Sequence, residues 1–166
     1  MGGGVVSVFA EYPDNDRLSV WGYNNLGQLA LGHTKEQRTP YTHDIAYERL
    51  FLCGGDYAGH TYSYHTHAAL LMPDGRLMMT GHNHDYQCFS DPVTNSTLTE
   101  WTPTSFYERG IKEVYLGRGA TTHSSYSIII MHDGRVYGAG YNGHLQLQGQ
   151  FKTNHHTPYR TMHRLC

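Results

Sequence analysis

The sequence is poor in charge. Asp, Glu, Lys and Arg make up 16% of its 166 residues, against about 25% in ordinary soluble domains. Twelve Lys plus Arg against 14 acids leave a formal net charge of −2. That balance offers no cationic surplus to neutralise phosphates, so a nucleic-acid partner is not expected. Long apolar runs are missing as well. Ile128 to Met131 is among the longest, far short of the roughly 20 residues that span a bilayer, so no membrane association is expected. The start, Met1-Gly2-Gly3-Gly4, lacks a basic region followed by an apolar stretch, and no signal peptide is expected. Cysteine is sparse and odd in number: Cys53, Cys88 and Cys166, with no CxxC spacing. Such a set fits reduced buried thiols and an intracellular or virion-associated setting, not a disulfide framework or a zinc site. The composition is also not the Ala/Glu/Lys/Leu mixture of a coiled coil or long helical bundle.

What is present is 19 Gly, 14 Tyr and 13 His, with 39% apolar and 13% aromatic residues. That is enough apolar matter for a core. Glycine, Tyr and Thr with little charge point to many short strands joined by tight turns. A repeat gives those strands their order. Arg17-Leu18-Ser19-Val20-Trp21-Gly22-Tyr23-Asn24 returns as Arg76 to Asn83 and again as Arg135 to Asn142, at offsets of 59 and 59. A turn precedes each Arg: Asn15-Asp16, Asp74-Gly75 and Asp133-Gly134. A Thr-Pro pair follows each Asn: Thr39-Pro40, Thr102-Pro103 and Thr157-Pro158.

Each unit reads as a hairpin followed by more strand. Ala68 to Met72 is apolar, Pro73-Asp74-Gly75 turns the chain, and Arg76 to Thr80 runs back. Asp-Gly between such runs is a strong hairpin signal, with positive φ expected at both central residues. Ser127 to Tyr137 repeats the pattern, and Val5 to Trp21 gives a longer-looped copy. A further strand pair is expected after each Thr-Pro, with Tyr47 to Cys53 and Ile111 to Leu116 as examples. Units of about four short antiparallel strands are propeller blades, which stack radially. The expected fold is therefore all-β, one repeat domain over residues 1–166, with units near 5–64, 65–123 and 124–166.

Trp21 to Gly32, with its Gly-Tyr-Asn-Asn-Leu-Gly-Gln-Leu run, and Asp133 to Asn142 resemble the signature of the regulator of chromosome condensation repeats. In the third copy the continuation Gly143-His144-Leu145-Gln146-Leu147 loses the spacing, and the middle copy, Asn83 to Cys88, is degenerate. His67 matches the family's His ahead of the apolar strand, where the third copy has Tyr126. The resemblance implies a β-propeller. Relatives exchange nucleotide on a small GTPase, touch nucleosomes, sense ultraviolet light through clustered tryptophans, inhibit β-lactamase, or act as scaffolds. Only Trp21 and Trp101 are present here, which argues against light sensing.

The repeat accounts for most polar residues. Gly22, Gly81 and Gly140 are expected to end hairpin strands where neighbouring blades crowd a side chain. Asn24, Asn83 and Asn142 are expected to bond their own backbone and shape the loop between blades. The HxH pairs His65/His67 and His82/His84 are the candidate metal ligands, since i and i+2 share a strand face. They lack a remaining ligand set, so no metal and no cofactor is assigned. No Gly-x-Ser-x-Gly elbow and no P-loop lysine occur, so no catalytic residue is named and the chain is read as a non-enzyme. Trp101, placed in a long polar loop from Ser90 to Pro103, is a candidate partner anchor; packing beneath its own loop is the alternative.

Propellers have roughly four to eight blades, and three do not close a ring. Closure is expected from another copy, most simply as a head-to-tail dimer, or from a longer partner. The function expected is a structural or protein-binding module in a larger assembly such as a virion. The alternatives are a regulatory binder resembling a GTPase exchange factor, and a metal- or glycan-binding propeller using His and Tyr loops.

Overall fold

The computed structural model describes residues 7–53, 66–90, 96–106, 108–117, 125–145 and 147, and the backbone of 155–161. Among these residues there is no helix, and the strands form three antiparallel sheets. The first contains β1 (Ser7–Glu11), β2 (Arg17–Gly22) and β3 (Gln37–Asp44), in that order. The second contains β4 (Arg49–Leu52), β5 (His67–Leu71), β6 (Leu77–Gly81) and β7 (Leu98–Pro103). The third contains β8 (Ile111–Gly117), β9 (Tyr126–Met131), β10 (Val136–Gly140) and β11 (His155–Thr161). These are propeller blades.

The hairpins fall where the repeat puts them, but their turns differ from expectation. Only the glycine of each Asp-Gly pair takes positive φ, at 80° for Gly75 and 83° for Gly134. The Gly75 amide bonds the Met72 carbonyl at 2.8 Å and the Gly134 amide bonds that of Met131 at 3.0 Å. The loop is thus a turn closed by a left-handed glycine, a three-residue hairpin connection. Asp74 instead accepts the Arg76 amide at 2.9 Å, and Asp133 that of Arg135 at 3.0 Å. In the first blade Asn15 takes the left-handed position, at φ 50°.

Two placements are corrected. Strands do follow the first two Thr-Pro pairs, β4 after Pro40 and β8 after Pro103, but the pairs themselves are not in loops: Pro40, Pro103 and Pro158 lie within strands β3, β7 and β11, each at one edge of its sheet. An edge strand can leave one side unpaired, and a proline there blocks further pairing. The hydrogen-bonded blade also begins one strand earlier than the repeat frame, because β4 pairs with β5 and not with the first sheet.

The core alternates between blades. Along β5 every residue is buried. Ala68 and Leu70 join Phe9, Leu18, Val20 and Leu29 of the first blade in one cluster. Ala69 and Leu71 join Ile129, Met131 and Ala139 of the third blade in another. The middle sheet is therefore buried on both faces, and its flanking sheets on one.

Candidate functional site

The seams between blades are built by the loop after each hairpin. Asn24 Oδ1 accepts the Leu29 amide at 2.9 Å, Asn83 Oδ1 accepts that of Cys88 at 2.8 Å, and Asn142 Oδ1 accepts that of Leu147 at 2.9 Å. All three asparagines are fully buried. Asn24 Nδ2 also donates to the His33 carbonyl at 2.8 Å, and Asn83 Nδ2 to Ser90 Oγ at 3.2 Å. The asparagines thus fold the loop back on itself, as their side chains suggest. The middle copy, degenerate in letters, has the same geometry. The third copy keeps the spacing after all: Leu29, Cys88 and Leu147 occupy one position. Backbone angles agree, since Gly27, Tyr86 and Leu145 adopt φ of 67°, 65° and 61°.

The strand-end glycines are required for two reasons. Gly22, Gly81 and Gly140 have φ near 100°, a region that L residues avoid. A Cβ on Gly81 would lie 2.6 Å from the Thr66 carbonyl oxygen and 2.9 Å from His67 Cα. On Gly140 it would lie 2.5 Å from the Ser125 oxygen. The main obstruction is therefore the blade's own chain. The preceding blade crowds next, with Gln28 Cβ at 3.4 Å from the Gly81 position and Gln87 Cβ at 3.0 Å from the Gly140 position.

Hydrogen bonds then cross each seam. Thr80 Oγ1 donates to the Gly27 carbonyl at 2.9 Å, and the Gly32 amide to that of Thr99 at 2.8 Å. Asp85, fully buried, accepts the Ser125 amide at 3.2 Å. His67 Nε2 bonds Ser127 Oγ at 3.0 Å. Arg49 on β4 makes a two-pronged pair with Glu113 on β8, at 2.8 and 2.9 Å, and donates to the Lys112 carbonyl at 2.7 Å. None of the partners across these seams was identified from the sequence, because nothing in the repeat indicates which polar group faces which.

The histidine candidates are used otherwise. His67 reaches the next blade, His82 Nδ1 bonds Gln87 Nε2 at 2.6 Å, and exposed His84 stacks edge-on against His82 at 4.8 Å. His65 lies outside the described residues. Among the described residues no group of three or more His, Cys, Asp or Glu side chains is placed to hold a metal ion. Trp101 sits on strand β7, not in a loop, and packs half-buried against the core between the first and second blades. Its indole N–H is enclosed without a partner among the described residues. His43 meets its edge at 6.5 Å, and Tyr41, exposed, meets His43 at 5.0 Å.

Among the described residues the hairpin turns carry most of the ion pairs. The Arg76 amide, then its guanidinium, hold Asp74 below the usual carboxylate range. Asp133 and Glu108 raise the Arg135 pKa further, and the same Glu108 accepts Tyr137 OH. Burial and the neighbouring Glu11 push Tyr47 up to about 12. Burial, then Cys53, push the Cys88 thiol up, which keeps it unreactive.

Two apolar faces remain. Val8 and Ala10 occupy the positions of Ala68 and Leu70, by their pairing with β2 and β6. Ile128 and Ile130 occupy the positions of Ala69 and Leu71. All four are only half-buried, and no described sheet covers them. The first blade also lacks a described strand beside β1, where β4 and β8 flank β5 and β9.

No protein-family model matches the chain. Solved structures do. Prp20p from Saccharomyces cerevisiae, described with its binding properties to Gsp1p and histones, superposes with a TM-score of 0.67 at 20% identity. The match covers 95% of this chain and 36% of that one. Human WBSCR16 gives 0.70 at 18% identity, covering 96% and 36%. Yeast RCC1 (Prp20) bound to Kap60 gives 0.64 at 20%, covering 95% and 35%. The chain shares the fold of these propellers. It spans about a third of their length.

Proposed function

We propose that the chain is a non-enzymatic, protein-binding propeller module that works as a component of a larger assembly, such as a virion or another multi-subunit particle. The observation that carries this is the pair of half-buried apolar faces at either end of the blade stack. Soluble proteins keep such patches small unless a partner covers them. The fold similarity supports binding over catalysis: Prp20p was described with Gsp1p and histones, and yeast RCC1 with Kap60. Nucleic acid and membrane are not proposed as partners.

A second reading is supported by the same similarity. As a regulatory binder resembling an exchange factor, the chain would act on a GTPase through its loops. Affinity purification from the native source after crosslinking separates the two. A stoichiometric structural protein supports the first reading and a nucleotide-binding protein the second. A chain recovered alone, with no crosslinked protein at any yield, rejects both. The metal- or glycan-binding alternative has less support, because His67 bonds Ser127 across a seam and His82 bonds Gln87 in its own loop.

A further inference from the structure

The half-buried face of the first blade differs at one corner from the faces packed between blades. From that difference we infer that the protein covering this face presents a carboxylate side chain, held by Arg17 and by the hydroxyls of Tyr12, Ser19 and Thr42, inside an apolar surround. This rests on the protein-binding reading and names the partner's chemistry at one point.

Ser19, Met78 and Tyr137 stand at one repeat position, two residues after Arg17, Arg76 and Arg135. Met78 packs toward the first blade and Tyr137 toward the second. Ser19, opposite Ala10, lies on the same side of its own blade. In the second blade the corner is apolar. Met72 and Met78 pack across the seam, and among the described residues the Arg76 guanidinium bonds Asp74 of its own turn, at 2.5 Å. In the third blade the corner carries a hydroxyl, and an acid covers it. Glu108, on the connection from the second sheet to the third, accepts both Tyr137 OH and Arg135 Nη1, while Arg135 Nε stays on Asp133 at 2.6 Å. The hydroxyl corner thus meets an acid from the neighbouring side, and the methionine corner meets none.

The first blade has a hydroxyl corner whose acid is not supplied by any described residue. Tyr12 OH and Ser19 Oγ are bonded at 3.3 Å, and Ser19 Oγ and Thr42 Oγ1 at 2.7 Å. Arg17 lies over the Tyr12 ring, 4.4 Å from its centre. Arg17 Nε bonds Asp16 at 3.4 Å, much as Arg135 Nε bonds Asp133, and its terminal nitrogens have no hydrogen-bond partner among the described residues. Three hydroxyl protons serve two bonds here, so one is left to donate outward. The corner favours negative charge: the bonds to Ser19, then Thr42, with Arg17 adding less, hold the Tyr12 pKa below its usual value. A guanidinium fork and a hydroxyl around one point are donors that a carboxylate takes. Val8, Ala10 and Trp21, all half-buried, border them on the same face. Covering those residues excludes water, which strengthens a charge-assisted bond.

The test uses the assembly purified from the native source, with the chain carrying Arg17→Lys and Asp16→Asn. A carbodiimide joins an amine to a touching carboxylate with loss of water, and mass spectrometry of the digest reads the joined pair. The expected result is a link from position 17 to one Asp or Glu of another polypeptide. In the otherwise unchanged chain, Arg17→Gln and Ser19→Met are each expected to weaken association about tenfold or more, with the Arg17 effect smaller at high salt. Arg17 is half-exposed, so its loss leaves the fold intact. Ser19→Met copies the second blade's corner. If it leaves association unchanged or tightens it, the corner is one more apolar contact and the inference is overturned. A link from position 17 to no acid of another polypeptide, or an Arg17→Gln chain that associates like wild type, overturns it as well. If amine-reactive crosslinkers still capture a stoichiometric protein in that case, the proposed function stands without this inference. An assembly in which no protein is crosslinked by either reagent ends both.

Discussion

Replacing Gly81 with alanine tests whether the strand-end glycine is required for the seam. Its φ of 101° costs an L residue about 1–2 kcal/mol. The added methyl would stand 2.6 Å from the Thr66 oxygen and 2.9 Å from His67 Cα. Both are backbone atoms in the sheet that anchors the middle blade, so relief requires moving a strand, at about 1–3 kcal/mol. The expected loss is about 2–5 kcal/mol, or a fall in Tm of roughly 5–20 °C for a domain of this size. Gly134→Ala is the matched control. It also has positive φ, 83°, but nothing lies within 4 Å of its Cβ position. Only the backbone term of about 1–2 kcal/mol remains there. Urea and thermal unfolding of both variants measure the difference. Equal losses would refute the claim that contact across the sheet, and not conformation alone, excludes a side chain at Gly81.

Other substitutions address the remaining parts of the account. Asn24→Ala removes the acceptor for the Leu29 amide and the donor to His33, leaving buried groups unpaired, and is expected to cost about 2–4 kcal/mol by denaturant unfolding. Leu145→Gly, at φ 61° on an exposed site, is expected to stabilise by up to about 1 kcal/mol in the same assay, since its first-blade counterpart is already Gly27. Tyr47, raised to about 12 by burial and then Glu11, stays protonated in the folded chain after unfolded tyrosine ionises near 10. Its contribution is present below pH 10 and is lost as pH rises from 10 towards 12. Tyr47→Phe removes the hydroxyl that burial and Glu11 hold protonated, so it is expected to flatten that alkaline decline. Arg49→Ala breaks a partly exposed pair with Glu113 and is expected to cost under about 1 kcal/mol, less at high salt.

The sequence made the blades legible because the hairpin and its loop recur at constant spacing. The 59-residue offset is carried into the backbone itself, where Gly27, Tyr86 and Leu145 share a left-handed angle. Letters alone hid this in the middle copy, because Tyr86 replaces a glycine and accepts strain in place of changing the loop. Strand β7 was missed because Leu98-Thr-Glu-Trp-Thr-Pro103 is a half-exposed outer strand without clean alternation. The sheet frame differs from the repeat frame because β4 follows the first blade in the chain but pairs with the second in space. The polar contacts of His67, Asp85 and Thr80 cross between blades, and no local pattern announces a partner 40 to 60 residues away. The open faces emerge only from burial: Ile128 to Met131 of β9 reads as continuously apolar, yet its alternate residues face the second blade or remain half-exposed.

The most direct test of the central claim, that this chain is part of a propeller ring completed by association, is imaging of the purified particle by electron microscopy. Class averages are predicted to show closed discs with more wedge-shaped blades than the three described sheets. Isolated three-bladed arcs, at concentrations where the protein is otherwise intact, would contradict it.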